Sequence, residues 1–206
     1  MVSEMNREVT ASRSKAEVVT AYRRGQILDA ARERFLKSGL AGTTMSEIAR
    51  AAGVAKGTVY LYFPSKDAVL HQILRDDLAE LRDETLPAIQ KHAPIEERLR
   101  AYLKGMVAFY EARKNFIEIC QVELGPELRK KARRQLGQLF AEQESAWRDA
   151  LVASGVARTD AERHARAIAS LGYGLALQRI RGWLDGPIDT DIESAARLAW
   201  KGVARP

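Results

Sequence analysis

Apolar residues recur at every third or fourth position along nearly the whole chain, and nowhere do they alternate one by one as in a half-buried strand. The pattern predicts an all-α protein of about nine helices. A first helix over residues 22–38 sets Ile27, Ala31 and Phe35 on one face, and Gly39 closes it. Thr44, with Glu47 three residues on, forms a capping box that opens a short helix with Met45, Ile48, Ala49 and Ala52 on its apolar side. Gly53 ends it, because glycine enters the left-handed conformation without a Cβ penalty. A second short helix spans about residues 55–63 and is stopped by Pro64. Ser65 caps a fourth, whose stripe of Val69, Leu70, Ile73 and Leu74 continues through Leu78 and Leu81. Further helices are expected over residues 95–113, in a short segment after Asn115, and over 126–154, 160–184 and 190–203. The fourth helix belongs to one apolar cluster at its start and another at its end. The expected division is therefore a flexible tail (1–20), a small three-helix domain with the start of the fourth (21–81), and a larger helical domain (82–206).

Two short helices across a tight glycine turn make a helix-turn-helix. The second of them has two unlike faces. Val59 and Phe63, four residues apart, turn inward, while Lys56, Gly57, Tyr60 and Leu61 share the other side. A cation, a residue without a side chain, a phenol and an alkyl group suit a major groove. Lys56 reaches guanine acceptors, Leu61 or the Tyr60 ring meets a thymine methyl, and Gly57 permits close approach. Thr44, Thr58, Tyr62 and Lys66 flank that face and suit phosphate oxygens. The same geometry also occurs in helical proteins that never touch nucleic acid, so the string itself has to decide.

The run GVAKGTVYLYFPSKDAVL closely resembles the DNA-binding signature of the TetR family of transcriptional regulators, in its AcrR-like form. The resemblance extends back through ILDAARERFLKSGLAGTTMSEIARAAG and covers roughly residues 22–81. It implies a homodimer that places two recognition helices on a palindromic double-stranded DNA operator, a fourth helix that transmits ligand binding, and a small-molecule effector held in the larger domain. Ala55 departs from the common form, which has a serine there; loss of that cap costs about 1 kcal/mol and removes one phosphate contact.

Charge agrees with this reading once it is located. The chain of 206 residues has a net charge of +6, and residues 1–66 hold 11 Lys/Arg against 6 Asp/Glu, whereas the remainder is nearly balanced. The excess sits on the helix-turn-helix segment, where a polyanion partner would be met. Arg23 and Arg24 are further candidates for phosphates, and Arg7, Arg13 and Lys15 for a minor-groove arm weakened by neighbouring glutamates. No apolar run is long enough to cross a bilayer and no apolar leader precedes a cleavage site, so a cytoplasmic protein without membrane contact is expected. The single Cys120 excludes an intrachain disulfide and fits a reducing compartment. His71, His92 and His164 lack metal-ligand spacing, and no nucleophile elbow or P-loop is present; neither enzyme, metal nor cofactor is expected.

In the larger domain, Ala165, Ala169, Gly172 and Ala176 line one face of the penultimate helix, and Ala195, Ala199 and Gly202 one face of the last. Such stripes let helix backbones approach closely, either inside one chain or, as the resemblance implies, across a two-fold four-helix interface. Met106, Phe109, Tyr110, Phe116, Cys120, Phe140, Trp147, Tyr173 and Trp183 fall on helices expected to surround one interior, and Leu177 joins them. Sets of this kind are ordinary core in many proteins; the resemblance makes them candidates for an effector pocket. Glu123, Gln178 and Arg179 are polar among apolar neighbours and could orient a ligand, although Arg179 could equally pair with Glu123. Cys120 reads as a small buried hydrophobe, not a redox sensor. Within the same run Arg129 to Arg134, five of six residues are cationic at the start of a helix, where cations are disfavoured; the group is a solvated turn, or a contact to DNA or to the acidic part of the fourth helix. A DNA-organising protein with no effector, whose helical domain only dimerises, is the alternative function.

Overall fold

The structure, a computed structural model, describes residues 15–203. Among them are nine helices and no strand: α1 (Lys15–Ser38), α2 (Met45–Ala51), α3 (Lys56–Tyr62), α4 (Lys66–Gln90), α5 (Ile95–Ala112), α6 (Lys114–Glu123), α7 (Pro126–Ala153), α8 (Arg158–Ile180) and α9 (Ile188–Val203). The tail expected over residues 1–20, with Arg7 and Arg13, lies outside the described residues up to position 14. From Lys15 the chain is already helical. Val18, Val19 and Tyr22 are exposed there, so these turns bury nothing and carry no periodic signal.

The chain forms two compact units, Met1–Leu70 and His71–Pro206, with the division inside α4 rather than at Leu81. Leu81 is fully buried in the second unit's core. In the first unit α2 packs on α1 and α3 on α2, and the core is Ile27, Phe35, Ile48, Val59, Phe63 and Val69. Its connections are short and rigid. Gly39 and Gly53 take the left-handed conformation (φ 73° and 66°), and any Cβ on Gly42 would collide with the carbonyl of Ser38.

In the second unit α8 lies against both α5 and α7, and α9 packs on α5. Tyr102 and Trp147 meet edge to face at its centre, with ring centroids 5.6 Å apart. The Tyr102 hydroxyl donates to Gln143 (3.0 Å), whose amide donates to Thr85 (2.9 Å), and Thr85 donates to the Leu81 carbonyl (2.7 Å). This buried relay ties α4, α5 and α7 together without leaving those groups dry.

The small-residue stripe of α8 is used inside the chain. Ala165, Ala169, Gly172 and Ala176 are all buried, and a residue already covered by its own chain has no face left for a second one. The reason is Tyr102: a Cβ on Gly172 would come within 2.7 Å of its ring, so the missing side chain is what lets α8 close onto α5. On α9, Ala195 and Ala199 pack partly against the same core, and only Gly202 of that stripe is exposed. The end of α8 also differs from expectation. Gly182 (φ 71°) terminates it, with the Trp183 N–H donating back to the Gln178 carbonyl (3.0 Å), so Trp183 stands 68% exposed instead of facing the interior.

Candidate functional site

The helix-turn-helix is held by interactions that its own sequence supplies. The Thr44 N–H donates to the Glu47 carboxylate (2.8 Å), and the Glu47 N–H donates to the Thr44 hydroxyl (3.3 Å), completing the capping box. Arg34 of α1 pairs with Glu47 at 3.1 Å. The hydrogen bonds from Thr44, aided by Arg34, hold the Glu47 carboxyl below its ordinary range. Buried Thr43 donates to carbonyls at the end of α1, Gly39 (2.8 Å) and Arg34 (3.2 Å). The Arg24 guanidinium covers the Phe63 ring at 4.7 Å, fastening α1 to the end of α3.

Against this frame α3 presents one face. Val59 and Phe63 are buried; Tyr60 is 45% and Leu61 84% exposed, and Lys56 and Gly57 lie open beside them. The Lys56 ammonium sits 5.9 Å from the Tyr60 ring centre. Thr58 and Tyr62 are half-buried at the margins, and Thr44 is exposed. Nothing lies within 4 Å of a Cβ placed on Gly57, so no contact inside the protein requires a glycine there. Ala55 holds the N-cap position with extended backbone and no side-chain hydrogen bond, so α3 begins without a cap. Lys66 departs from the expected role. Its ammonium donates to the carbonyls of Leu40 (2.5 Å) and Thr43 (2.9 Å), where it braces the loop between α1 and α2.

The second unit contains a cavity of about 370 Å³, within the range of small-molecule sites. Phe109, Tyr110, Phe116, Cys120, Tyr173 and Leu177, all expected around a ligand, line it together. The Tyr110 and Tyr173 rings meet edge to face at 5.8 Å, and burial pushes the Tyr110 phenol up from its ordinary range. The others stand elsewhere. Met106 and Trp147 are fully enclosed in the core, and Phe140 packs on the Tyr173 ring at 5.2 Å without lining the space. Glu123 and Gln178 are exposed. Arg179 is not paired with Glu123: it binds Glu111 (2.9 Å) and Asp191 (2.8 Å), clasping α5, α8 and α9. A wider, open hollow runs along α9, lined by Asp189, Glu193, Arg197, Leu198 and Lys201 among others.

Several lining residues escaped the sequence reading. Leu74, Asp77 and Leu78 come from α4, Arg113 from the end of α5, and Arg129, Arg133 and Leu136 from α7. The unfavourable run of cations at the start of α7 was the available signal, and two of its members border the cavity. Arg113 gave none. Its guanidinium lies 4.1 Å over the Phe109 ring, donates to Asp77 (3.1 Å) and also pairs with Glu80, partners more than 30 residues away on α4.

Comparison with known proteins bears on both units. The sequence model described as bacterial regulatory proteins, tetR family, matches residues 27–73, which contain α2, α3 and their turns. The fatty acid metabolism regulator protein of Bacillus subtilis (strain 168) is 31% identical over 99 residues, which is 48% of this chain and 51% of that protein. The HTH-type transcriptional regulator BetI of Escherichia coli (strain K12 / DH10B) is 35% identical over 87 residues, 41% of this chain and 45% of its own length. The chain thus spans about half the length of the relatives it matches. Among solved structures, the fatty acid degradation regulator FadR of Bacillus halodurans superimposes with a TM-score of 0.71 at 21% identity, over 89% of this chain and 97% of that one. FadR of Bacillus subtilis in complex with stearoyl-CoA gives 0.69 at 21% identity, over 86% and 98%. At that identity the likeness shows a shared fold: an N-terminal helix-turn-helix followed by a larger helical domain. The local sequence match and the capped helix-turn-helix lead to one conclusion, that residues 27–73 of this chain form a helix-turn-helix of the TetR family of transcriptional regulators, followed by an all-helical unit of the same fold as the solved regulators.

Proposed function

We propose that the protein is a cytoplasmic transcriptional repressor that binds a palindromic DNA operator as a homodimer and releases it when a small molecule occupies the second unit. The observation that carries this reading is the outward face of α3, where Lys56, Gly57, Tyr60 and Leu61 lie open while Val59 and Phe63 anchor the helix from behind. A seven-residue helix reads few base pairs, so two related by symmetry are needed for a useful site. Since the α8 stripe is buried, the dimer surface is assigned to outward positions of the last helices, where Leu198 is exposed. The unit ending at Leu70 supplies the DNA-reading part and the unit from His71 onward, which includes the cavity-lining turns of α4, the part that binds effector and partner. The effector site is the α4–α8 cavity, and an acyl thioester is the first class to try, because a protein of the same fold was solved with stearoyl-CoA. By linkage, an effector weakens DNA binding only by the factor by which DNA weakens effector binding.

The test begins with an operator selected from randomised duplexes by the wild-type protein. Two protomers are expected per duplex. Lys56→Ala should lose about 1–3 kcal/mol on that site and relax preference at one base position. A single protomer per duplex, or an equal loss on a scrambled sequence, would refute the assignment.

A further inference from the structure

The charge of the cavity wall goes beyond its being a ligand site. Three guanidinium groups line it, those of Arg113, Arg129 and Arg133, against the single carboxylate of Asp77. The rest of the wall is largely apolar, with Phe109, Phe116, Ile117, Leu136 and Leu177. Asp77 does not offset all three cations, because Arg113 already holds it at 3.1 Å. Arg129 donates to the Leu124 carbonyl (2.9 Å), which leaves its charge uncompensated. Arg133 has neither an ion pair nor a side-chain hydrogen bond among the described residues.

Resting on the reading of this cavity as the effector site, we propose that it takes an amphipathic organic anion, with its apolar body among the aromatic and aliphatic residues and its acidic head on Arg133 and Arg113. Arg113 gives the head group its consequence. The guanidinium is largely covered, lies over the Phe109 ring, and bonds to Asp77 and Glu80 on α4. The guanidinium is already bonded through Nε to Asp77 and through Nη2 to Glu80, so an acid arriving at its remaining donors brings a third negative charge beside those two carboxylates and weakens their hold by repulsion. Filling the site therefore frees the 77–80 segment of α4 from α5. A neutral ligand of the same shape fills the space and leaves that link closed.

Three ligands of equal chain length separate the possibilities when titrated into the full-length protein by calorimetry: decanoate, decanol and decyltrimethylammonium. Decanoate is expected to bind at least about tenfold more tightly than decanol, and the cation most weakly. Arg133→Ala removes an exposed side chain without partners, so it should fold normally, cut the preference for decanoate several-fold and leave decanol unchanged. Arg113→Lys keeps the charge but not the fork, and should reduce the decanoate preference while hydrogen exchange over residues 77–80 rises in the absence of ligand. Leu177→Trp, verified by its melting curve, fills the cavity and reports whether binding occurs there. Equal affinity for decanoate and decanol, both abolished by Leu177→Trp, overturns the anion proposal and leaves the cavity as effector site. A decanoate preference that survives Arg133→Ala and Arg113→Lys overturns it as well. Failure of all three ligands to bind, or indifference to Leu177→Trp, overturns the cavity reading and this proposal together.

Discussion

On the proposed function, Gly57 is the residue at which DNA binding and stability are expected to separate. It lies on the open face of α3, and a methyl group added there meets no protein atom within 4 Å. Helix propensity alone favours alanine over glycine by about 1 kcal/mol. Gly57→Ala is therefore expected to melt at or above the wild-type temperature while its DNA affinity falls, as fluorescence anisotropy on a labelled operator would show. Unchanged affinity would mean that α3 does not approach the bases. Glu47 gives the residue scale a pH dependence. Hydrogen bonds from Thr44 lower its pKa below 4.5, so its contribution to stability is complete above that value and is lost as pH falls through the lower folded-state value. Melting curves from about pH 6 down to about pH 3 should fall less steeply for Glu47→Gln than for wild type, the variant having given up the charge at the outset. Lys66 is the residue whose chemistry was readable and whose job was not: the ammonium suits a phosphate, but the fold places two loop carbonyls within its reach.

At the scale of elements, α8 shows how one missing side chain fixes a helix pair. The Tyr102 ring cannot swing away from Gly172, because its hydroxyl is bonded to Gln143 and its edge packs on Trp147. Gly172→Ala should cost about 1–3 kcal/mol through overpacking, outweighing the gain in helix propensity. Adding Tyr102→Leu removes the obstacle, so chemical denaturation of the double variant should show less than the sum of the two single losses. Additive losses would place the strain elsewhere. The contrast with α2 and α3 is instructive. Those helices are delimited by Thr44, Glu47, Gly53 and Pro64, all within a few residues of the backbone groups they act on, and their boundaries were accordingly readable in advance. The packing partner of the α8 stripe lies on α5, about seventy residues away in sequence, and no local signal distinguishes it from a second subunit.

For the molecule as a whole, the uneven charge sets how binding responds to salt. The excess of positive charge resides in residues 1–66, and the rest of the chain is close to neutral. Each phosphate neutralised contributes about 0.9 to the slope of log affinity against log salt on duplex DNA. Arg23→Ala, on the exposed side of α1, is expected to flatten that slope by about 0.9, whereas Lys104→Ala, exposed on α5, leaves it unchanged. Equal slopes for both variants would remove α1 from the interface. Among the described residues no helix is long and apolar enough to cross a membrane.

The sequence by itself determined the helical class, the capped helix-turn-helix, which side of α3 faces outward, and where the positive charge accumulates. Each of these depends on neighbours in the chain or on composition, so each leaves a periodic or local trace. Tertiary structure alone decided that the alanine and glycine stripe of α8 is interior, that Arg179 clasps Glu111 and Asp191, and that Arg113 joins the cavity to α4. Small residues, arginines and carboxylates are compatible with many partners. Which one they meet is set by helices brought together over tens of residues, through the combined packing of the whole core.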